Sequence, residues 1–393
     1  MNRDKINKNW YFLPVGLFVL IVVTGALLFD RSDSDVLRDA KNEIEATFEA
    51  PDPITIAASS VSEFTRDSLS AIAESAEELG PISSLVIFQN GEMLEEQYFG
   101  RMNANLTHNI KSASKSILSI LVGIAIEEGY LEGVDQQIGE FFPDYFASNP
   151  DSAKMAITIG NLLTMRSGLA STSRGSYGRW VISDNWIEYK LDQPLTGRPG
   201  IDRNYSTGNT HLLSVILTRA TGMSTRAFAN RYLFNPMDIE LGGWDRDPQG
   251  FYLGGNNMAL RPRDMVKVGK LMMDMGEFEG KQLISPDWIV ESVTPVTGRR
   301  PGVINYGYLW FRRQSAGLEM VYAYGNGGQY ILIVPEIEAV IAVTTRNGAS
   351  GTRSYRRALF RLIDSTISPG LASLYLDKEE QVSKPGNELV ESR

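Results

Sequence analysis

Between residues 61 and 370 the apolar residues follow two rhythms, and the order in which they come limits the folds available. Near the start, SSLVIFQ and EMLEEQYFG flank Asn90-Gly91, the dipeptide that most favours a two-residue type I′ turn between antiparallel strands. Near the end, YGYLWFRR, LEMVYAYG, GQYILIVP and AVIAVTTR alternate or run apolar, with turn residues between them. The middle keeps helical spacing in Ile157 to Met165, in Leu212 to Ala220 with Gly222 behind it, and in Arg263 to Met275. A first helix, VSEFTRDSLSAIAESAEEL, stops at Gly80-Pro81, and a last one runs near Arg353 to Ser365. Strands at both ends with helices between them predict one antiparallel sheet in which the two ends meet. Helices pack on that sheet and form a mainly helical subdomain, an α+β architecture.

Ahead of this domain, Trp10 to Phe29 is a stretch of 20 residues without a charge, WYFLPVGLFVLIVVTGALLF. At helical rise it just crosses a hydrocarbon core of about 30 Å. Arg3, Lys5 and Lys8 precede it and Asp30, Arg31, Asp33 and Asp35 follow it. The positive flank is therefore expected to stay in the cytoplasm. Residues 1–9 then read as a cytoplasmic tail and 10–29 as one transmembrane helix. That address is a bacterial inner membrane crossed once, with the bulk of the chain facing the periplasm or the outside. A cleaved signal peptide fits less well, because Gly25 to Phe29 offers no A-x-A-like cleavage site. Residues 30–60 are acidic, contain Pro51 and Pro53, and read as a linker. Residues 371–393 read as a polar C-terminal tail.

Composition removes several chemistries. With no Cys there is no thiol nucleophile, disulfide or Cys-ligated metal, and the two His cannot build a multi-histidine site. No H-E-x-x-H, P-loop or G-x-G-x-x-G stands in a fitting context, so no cofactor or metal is expected. A formal charge of -9 argues against nucleic acid, whose binding relies on Lys and Arg neutralising phosphates. The one basic cluster, Arg353, Arg356, Arg357 and Arg361, has the spacing of a solvated helix face. The sequons at Asn105 and Asn204 carry no argument, the second because it overlaps Tyr205.

The chemistry-bearing segment is Lys111-Ser112-Ala113-Ser114-Lys115-Ser116, which runs into the apolar helix ILSILVGIAIEEG. Ser112 falls at or near the first turn and Lys115 one turn later on the same side. A hydroxyl gains as a nucleophile from an amine that can take its proton, provided burial or nearby cations lower the lysine pKa. A helix-capping Ser beside a solvated Lys is the plain alternative, so the pair is read with its context. A Pro-Gly-rich loop, Pro199 to Gly208, brings Tyr205 just ahead of another helix. A third segment, Tyr324-Gly325-Asn326-Gly327-Gly328-Gln329, enters a strand.

With LEGVDQQIGEFFPDY, ITIGNLLTMRSGL, PGIDRNYST, ATGMSTRAFANRYLFNPMDI, GGNNMALRPRDMVKVGKLM, YGYLW and YGNGGQYILIVPE in that order, the chain resembles the beta-lactamase-related, penicillin-recognising serine hydrolases. The resemblance is nearest to the class C and 6-aminohexanoate-dimer hydrolase branch. It covers about residues 62 to 368 and implies a serine hydrolase domain at 61–370 with a beta-lactamase/transpeptidase-like fold. It further implies Ser112 as the acylated nucleophile, Lys115 as its proton partner and Tyr205 as a second acid/base group. Either of the last two could remove the serine proton. The backbone amides of Ser112 and Gln329 would form the oxyanion hole. Asn326, Gly327, Gly328, Trp186 and Tyr177 would line the substrate cleft, although the aromatic stretch Tyr177, Trp180, Trp186 and Tyr189 could equally be loop packing.

Two positions depart from the family pattern. Asn326 stands where many relatives open the third motif with Lys or His, and Thr207 stands where the tyrosine motif often closes with Asn. Loss of that cation weakens recognition of a substrate carboxylate. The expected reaction is therefore cleavage of an amide or ester of a small molecule through an acyl-enzyme on Ser112. A beta-lactamase or D-alanyl-D-alanine carboxypeptidase is the alternative within the enzymes, and a non-catalytic cell-envelope binding protein the alternative outside them. Ser183-Asp184-Asn185 matches the second motif of another branch and competes with Tyr205, but no Lys-Thr-Gly follows it. His108 and His211 read as structural, and with no G-x-S-x-G in the chain a Ser-His-Asp site is a poor rival.

Overall fold

The computed structural model describes residues 66–296, 305–346 and 353–383. The expected anchor at 10–29 and linker at 30–60 lie outside the described residues. Among the described residues no helix is long and apolar enough to cross a membrane.

Seven strands form one antiparallel sheet: β1 Ile82–Gln89, β2 Glu92–Tyr98, β3 Asn305–Tyr306, β4 Phe311–Ser315, β5 Leu318–Gly325, β6 Gln329–Val334 and β7 Ala339–Thr345. Their order is β2-β1-β7-β6-β5-β4-β3. The two ends of the domain do meet, since β1 lies along β7 with Val86 opposite Ala342 and Gln89 opposite Ala339. Every residue of β1, β6 and β7 is buried. That accounts for their near-continuous apolar runs, because a strand covered on both faces needs no polar side.

The faces of the sheet separate by the two-residue period of a strand. Val86, Phe88, Ile331, Ile333, Val340 and Ala342 point into the larger core. There they meet α2 Ser114–Glu127, α4 Thr207–Thr221, α5 Pro262–Met273 and α6 Pro286–Val293. Leu85, Ile87, Tyr330, Leu332, Ile341 and Val343 point the other way. That side is covered by α1 Arg66–Glu78, α7 Arg353–Leu362 and α8 Ser368–Ser383. A short helix between α2 and α4, α3 Trp186–Leu191, belongs to a small cluster of Trp180, Trp186 and Leu253 beside the larger core.

Three expectations need correction. YGYLWFRR is not one strand: Tyr306 ends β3 and Phe311 begins β4, with a turn between them in which Leu309 has φ 65°. The helix expected from Leu212 starts at Thr207. Its polar first turn looks like loop, but its amides are met by buried hydroxyls, Thr207 N donating to Ser173 Oγ (2.8 Å) and Gly208 N to Thr172 Oγ1 (2.9 Å). The polar tail expected from residue 371 begins as part of α8, which buries Leu371, Ala372 and Tyr375 against the outer core.

Helix α5 lies on the central strands because Gly269 leaves room. A Cβ there would sit 2.4 Å from Val340 Cγ1 and 3.0 Å from Ile331 Cγ2, both on stiff β-branched side chains. Gly269→Ala is expected to lower unfolding free energy by about 1–3 kcal/mol despite the better helix propensity of alanine. Chemical denaturation measures this, and an unchanged midpoint would contradict the packing described.

Candidate active site

The turn that carries Ser112 is made by a conflict between two local preferences. Lys111 to Ala113 form a single 3-10 turn that runs into α2, whose residues Ser114 to Ala125 are all buried. A helix buried on every side is enclosed by the core, which fixes its direction. The chain entering it has to bend sharply, and Lys111 takes φ 52° to do so. A non-glycine residue held there costs about 1–3 kcal/mol and is commonest at functional sites. Its N–H donates to Asn109 Oδ1 at 2.9 Å, which holds the bend. Ser112 is thereby left half-buried at the mouth of the helix.

Lys115 lies one turn deeper and is 2% exposed. Its Nζ lies 3.3 Å from Ser112 Oγ and donates to the carbonyl oxygen of Gly255 at 2.5 Å. Among the described residues no carboxylate pairs with it. Burial pushes the pKa of the amine down to about 7. The ring of Tyr205 covers the same nitrogen, with its centroid 5.2 Å away. The three side chains singled out along the chain thus meet around one buried amine.

Tyr205 is held by its backbone. Its carbonyl accepts from Ser171 Oγ (2.7 Å), and Asn204 N donates to Met165 O (2.8 Å). Its phenol lies close enough to Tyr306 to add to the burial that raises the pKa of that buried tyrosine, while Arg203, stacked on the Tyr306 ring at 4.4 Å, opposes the rise. Thr207 is turned away from this group, its Oγ1 bonded to Ser173 Oγ at 2.9 Å.

The turn from β5 into β6 closes the other side. Gly325 passes so near the Ser112 turn that a Cβ on it would be 2.1 Å from Ile110 O. Both β5 and β6 contact the Ser112 turn, and in the segment that joins them Asn326 is exposed while Gly327, Gly328 and Gln329 are buried. The Gln329 side chain faces away into the sheet, exchanging hydrogen bonds with the Thr345 backbone at 2.9 and 3.0 Å.

The remaining candidates fall into place by packing. Trp186 is not spread along an open cleft; it is 8% exposed and tilted against Trp180, with ring centroids 5.1 Å apart. Its indole has more apolar contact there than solvent would allow. Tyr177 is half-buried and accepts from Asn256 Nδ2 at 2.9 Å. In the competing tripeptide, Asn185 caps α3 by accepting from the N–H groups of Ile187 and Glu188, so its side chain is already used. His108 bonds to Thr345 O at 2.7 Å, and His211 pairs with Asp247. The carbonyl of Gly255 is the member that sequence reasoning missed: the Gly-Gly of GGNNMALRPRDM was visible, but a main-chain acceptor leaves no side-chain signature.

A family model described as "Beta-lactamase" matches residues 80–364. The 6-aminohexanoate-dimer hydrolase of Paenarthrobacter ureafaciens is 25% identical over 237 residues, 57% of this chain and 60% of that protein's length. Among solved structures, a putative 6-aminohexanoate-dimer hydrolase from Bacillus anthracis superposes with a TM-score of 0.62 at 19% identity, over 78% of this chain and 82% of that one. A D-stereospecific amidohydrolase from Streptomyces superposes with a TM-score of 0.60 at 15% identity, over 75% of this chain and 98% of the other.

The lowered lysine pKa fixes a pH dependence. Below about 7 the amine carries a proton and accepts none, and above it the free amine is available. Turnover that uses Lys115 as a base is expected to rise about tenfold per pH unit on the acid side and to level off above about pH 8. A profile still climbing towards the ordinary lysine pKa would show that the amine is not desolvated as described.

Proposed function

Because this chain belongs to the beta-lactamase family of serine hydrolases, we propose that it cleaves an amide or ester bond of a small molecule through an acyl-enzyme on Ser112. The observation that carries the reading is the Lys115 amine, buried with no carboxylate partner among the described residues, 3.3 Å from the Ser112 hydroxyl and covered by Tyr205. A carboxylate beside it would hold the ammonium form and remove the base. With its pKa near 7, a large share of Lys115 is neutral at physiological pH.

In this reading Lys115 Nζ takes the proton as Ser112 Oγ attacks the carbonyl carbon. The negative charge that develops on the carbonyl oxygen is met by the backbone N–H groups of Ser112 and Gln329; one such donor is worth about 3–4 kcal/mol in the transition state. The proton passes through Tyr205 to the departing nitrogen or oxygen, which leaves with it, and the acyl group stays on Ser112. Water then attacks the ester, gives its proton back to the same pair, and releases the acid with Ser112 restored.

Asn326 is exposed and uncharged where the family pattern often has a cation that grips a carboxylate, which favours uncharged amides and esters over beta-lactams. The relatives named for 6-aminohexanoate-dimer hydrolysis support a linear amide as the first substrate class to try. The charge-free stretch at 10–29 and its positive flank support a membrane-held enzyme whose domain faces outward.

A fluorophosphonate probe is expected to label the protein and to leave Ser112→Ala unlabelled; equal labelling of both would remove Ser112 as nucleophile. Lys115→Ala is expected to lower kcat by about 100- to 10,000-fold with the fold intact by circular dichroism. In a panel of short linear amides, p-nitrophenyl esters, a chromogenic cephalosporin and D-Ala-D-Ala peptides, the first two are expected to turn over fastest. Preference for the cephalosporin or the D-Ala-D-Ala peptides would overturn the substrate class.

A further inference from the structure

Behind Lys115 lies a histidine–carboxylate pair that the reaction does not touch. His211 is on α4, six residues after Tyr205, and its Nε2 lies 2.9 Å from Asp247 Oδ2 with both side chains fully buried. The other Asp247 oxygen accepts from Phe251 N at 2.8 Å, so the carboxylate is held in place from its own loop. The rings of Trp180 and Trp186 pack on the imidazole, each with its centroid 5.6 Å away. A carboxylate at Nε2 calls for the proton there, which leaves Nδ1 as an acceptor. Nδ1 faces a donor, the N–H of Gly254, at 3.4 Å.

Gly254 is held at its other end too, its carbonyl accepting from Thr210 Oγ1 at 2.8 Å. Two neighbouring residues of α4 therefore fix both polar groups of one glycine, and the next carbonyl, that of Gly255, is the acceptor for Lys115 Nζ. The segment has no slack. A Cβ on Gly254 would be 2.0 Å from Thr210 O, and one on Gly255, which has φ +74°, would be 2.3 Å from Lys115 Cγ. Lys115 has a flexible four-carbon stem and no carboxylate partner among the described residues, so this carbonyl is a principal directional hold on its amine.

We propose that His211, oriented by Asp247, is a positioning residue for Lys115. It locks the Gly254 peptide so that the Gly255 carbonyl keeps Nζ aimed at Ser112 Oγ. The inference rests on the reading of Lys115 as the proton acceptor. It extends that reading to a residue that touches neither substrate nor nucleophile, because an amine that wanders by an ångström loses much of its rate.

The test uses the full chain, a p-nitrophenyl ester, and the variants His211→Leu, which has neither donor nor acceptor, and His211→Gln, whose amide offers one of each. His211→Leu is expected to lower kcat per folded molecule about tenfold or more with KM within about twofold, and His211→Gln to recover kcat to within about threefold. The acid limb of the kcat profile is expected to move to lower pH in His211→Leu, since the carbonyl that favours the ammonium form has swung away. A shift of that kind is not produced by mere loss of stability. If His211→Leu does not accumulate folded, His211→Met takes its place with the same expectations. An apolar variant with wild-type kcat and an unmoved acid limb, or a His211→Gln enzyme as slow as that variant, would overturn the inference. Lys115→Ala separates the two failures: a wild-type rate there removes the base assignment itself, whereas an inactive Lys115→Ala beside a fully active apolar His211 variant removes only the role of His211.

Discussion

A primary amine kept in the interior with no carboxylate beside it among the described residues is the constraint on which the rest of the site depends. Burial penalises the charged form of Lys115, and only a structure stabilised elsewhere can carry that cost. What the protein sets beside the amine is a carbonyl, a hydroxyl and an aromatic face, groups that orient it without fixing its proton as a carboxylate would. The same arrangement explains why the surroundings are so closed. Gly254 and Gly255 have no room for a side chain, and α2 is buried along most of its length.

The sheet supplies the rigidity that this requires. Its central strands are covered on both faces, by α5 and the helical subdomain on one side and by α1, α7 and α8 on the other. Because β1 pairs with β7, the first and last parts of the domain close one sheet. The end of β5 and start of β6 press against the Ser112 turn. The helical side contributes Ser112, Lys115 and Tyr205, and the sheet side contributes the Gly-rich turn before Gln329. A junction between two such layers can bring main-chain donors to a nucleophile without placing the nucleophile on a mobile loop.

The buried polar groups around α4 work in one direction. Thr172 pairs with Ser206 and Ser173 with Thr207, and the hydroxyls of Thr172 and Ser173 also accept from the first amides of the helix, so the chain leaving Tyr205 is tied to the 171–173 segment. Lys190, fully buried and donating to Ala170 O at 2.9 Å, braces the same segment from α3, and burial pushes its pKa down to about 7 as well. Two desolvated lysines in one subdomain have different settings. Lys115 lies beside the half-buried Ser112 hydroxyl, whereas Lys190 donates to a backbone carbonyl.

Local periodicity is enough to show the first two strands, a helical middle and the three later strands in LEMVYAYG, GQYILIVP and AVIAVTTR, since apolar alternation and turn dipeptides are properties of adjacent residues. It does not show the turn inside YGYLWFRR. The Ser112–Lys115 spacing was equally plain, because residues three apart on a helix share a side whatever lies around them. Where non-local contacts supplied the deciding hydrogen bonds, sequence was silent. The polar start of α4 needs hydroxyls from residues 172 and 173, and Trp186 turns inward because Trp180 and His211 wait for it. The chain by itself thus determined which groups were available, a hydroxyl, an amine and a phenol with the right local spacing. Only the tertiary structure decided that the amine is desolvated, that Tyr205 covers it and that a backbone carbonyl holds it, because solvent exclusion and main-chain direction arise from packing between segments far apart in sequence.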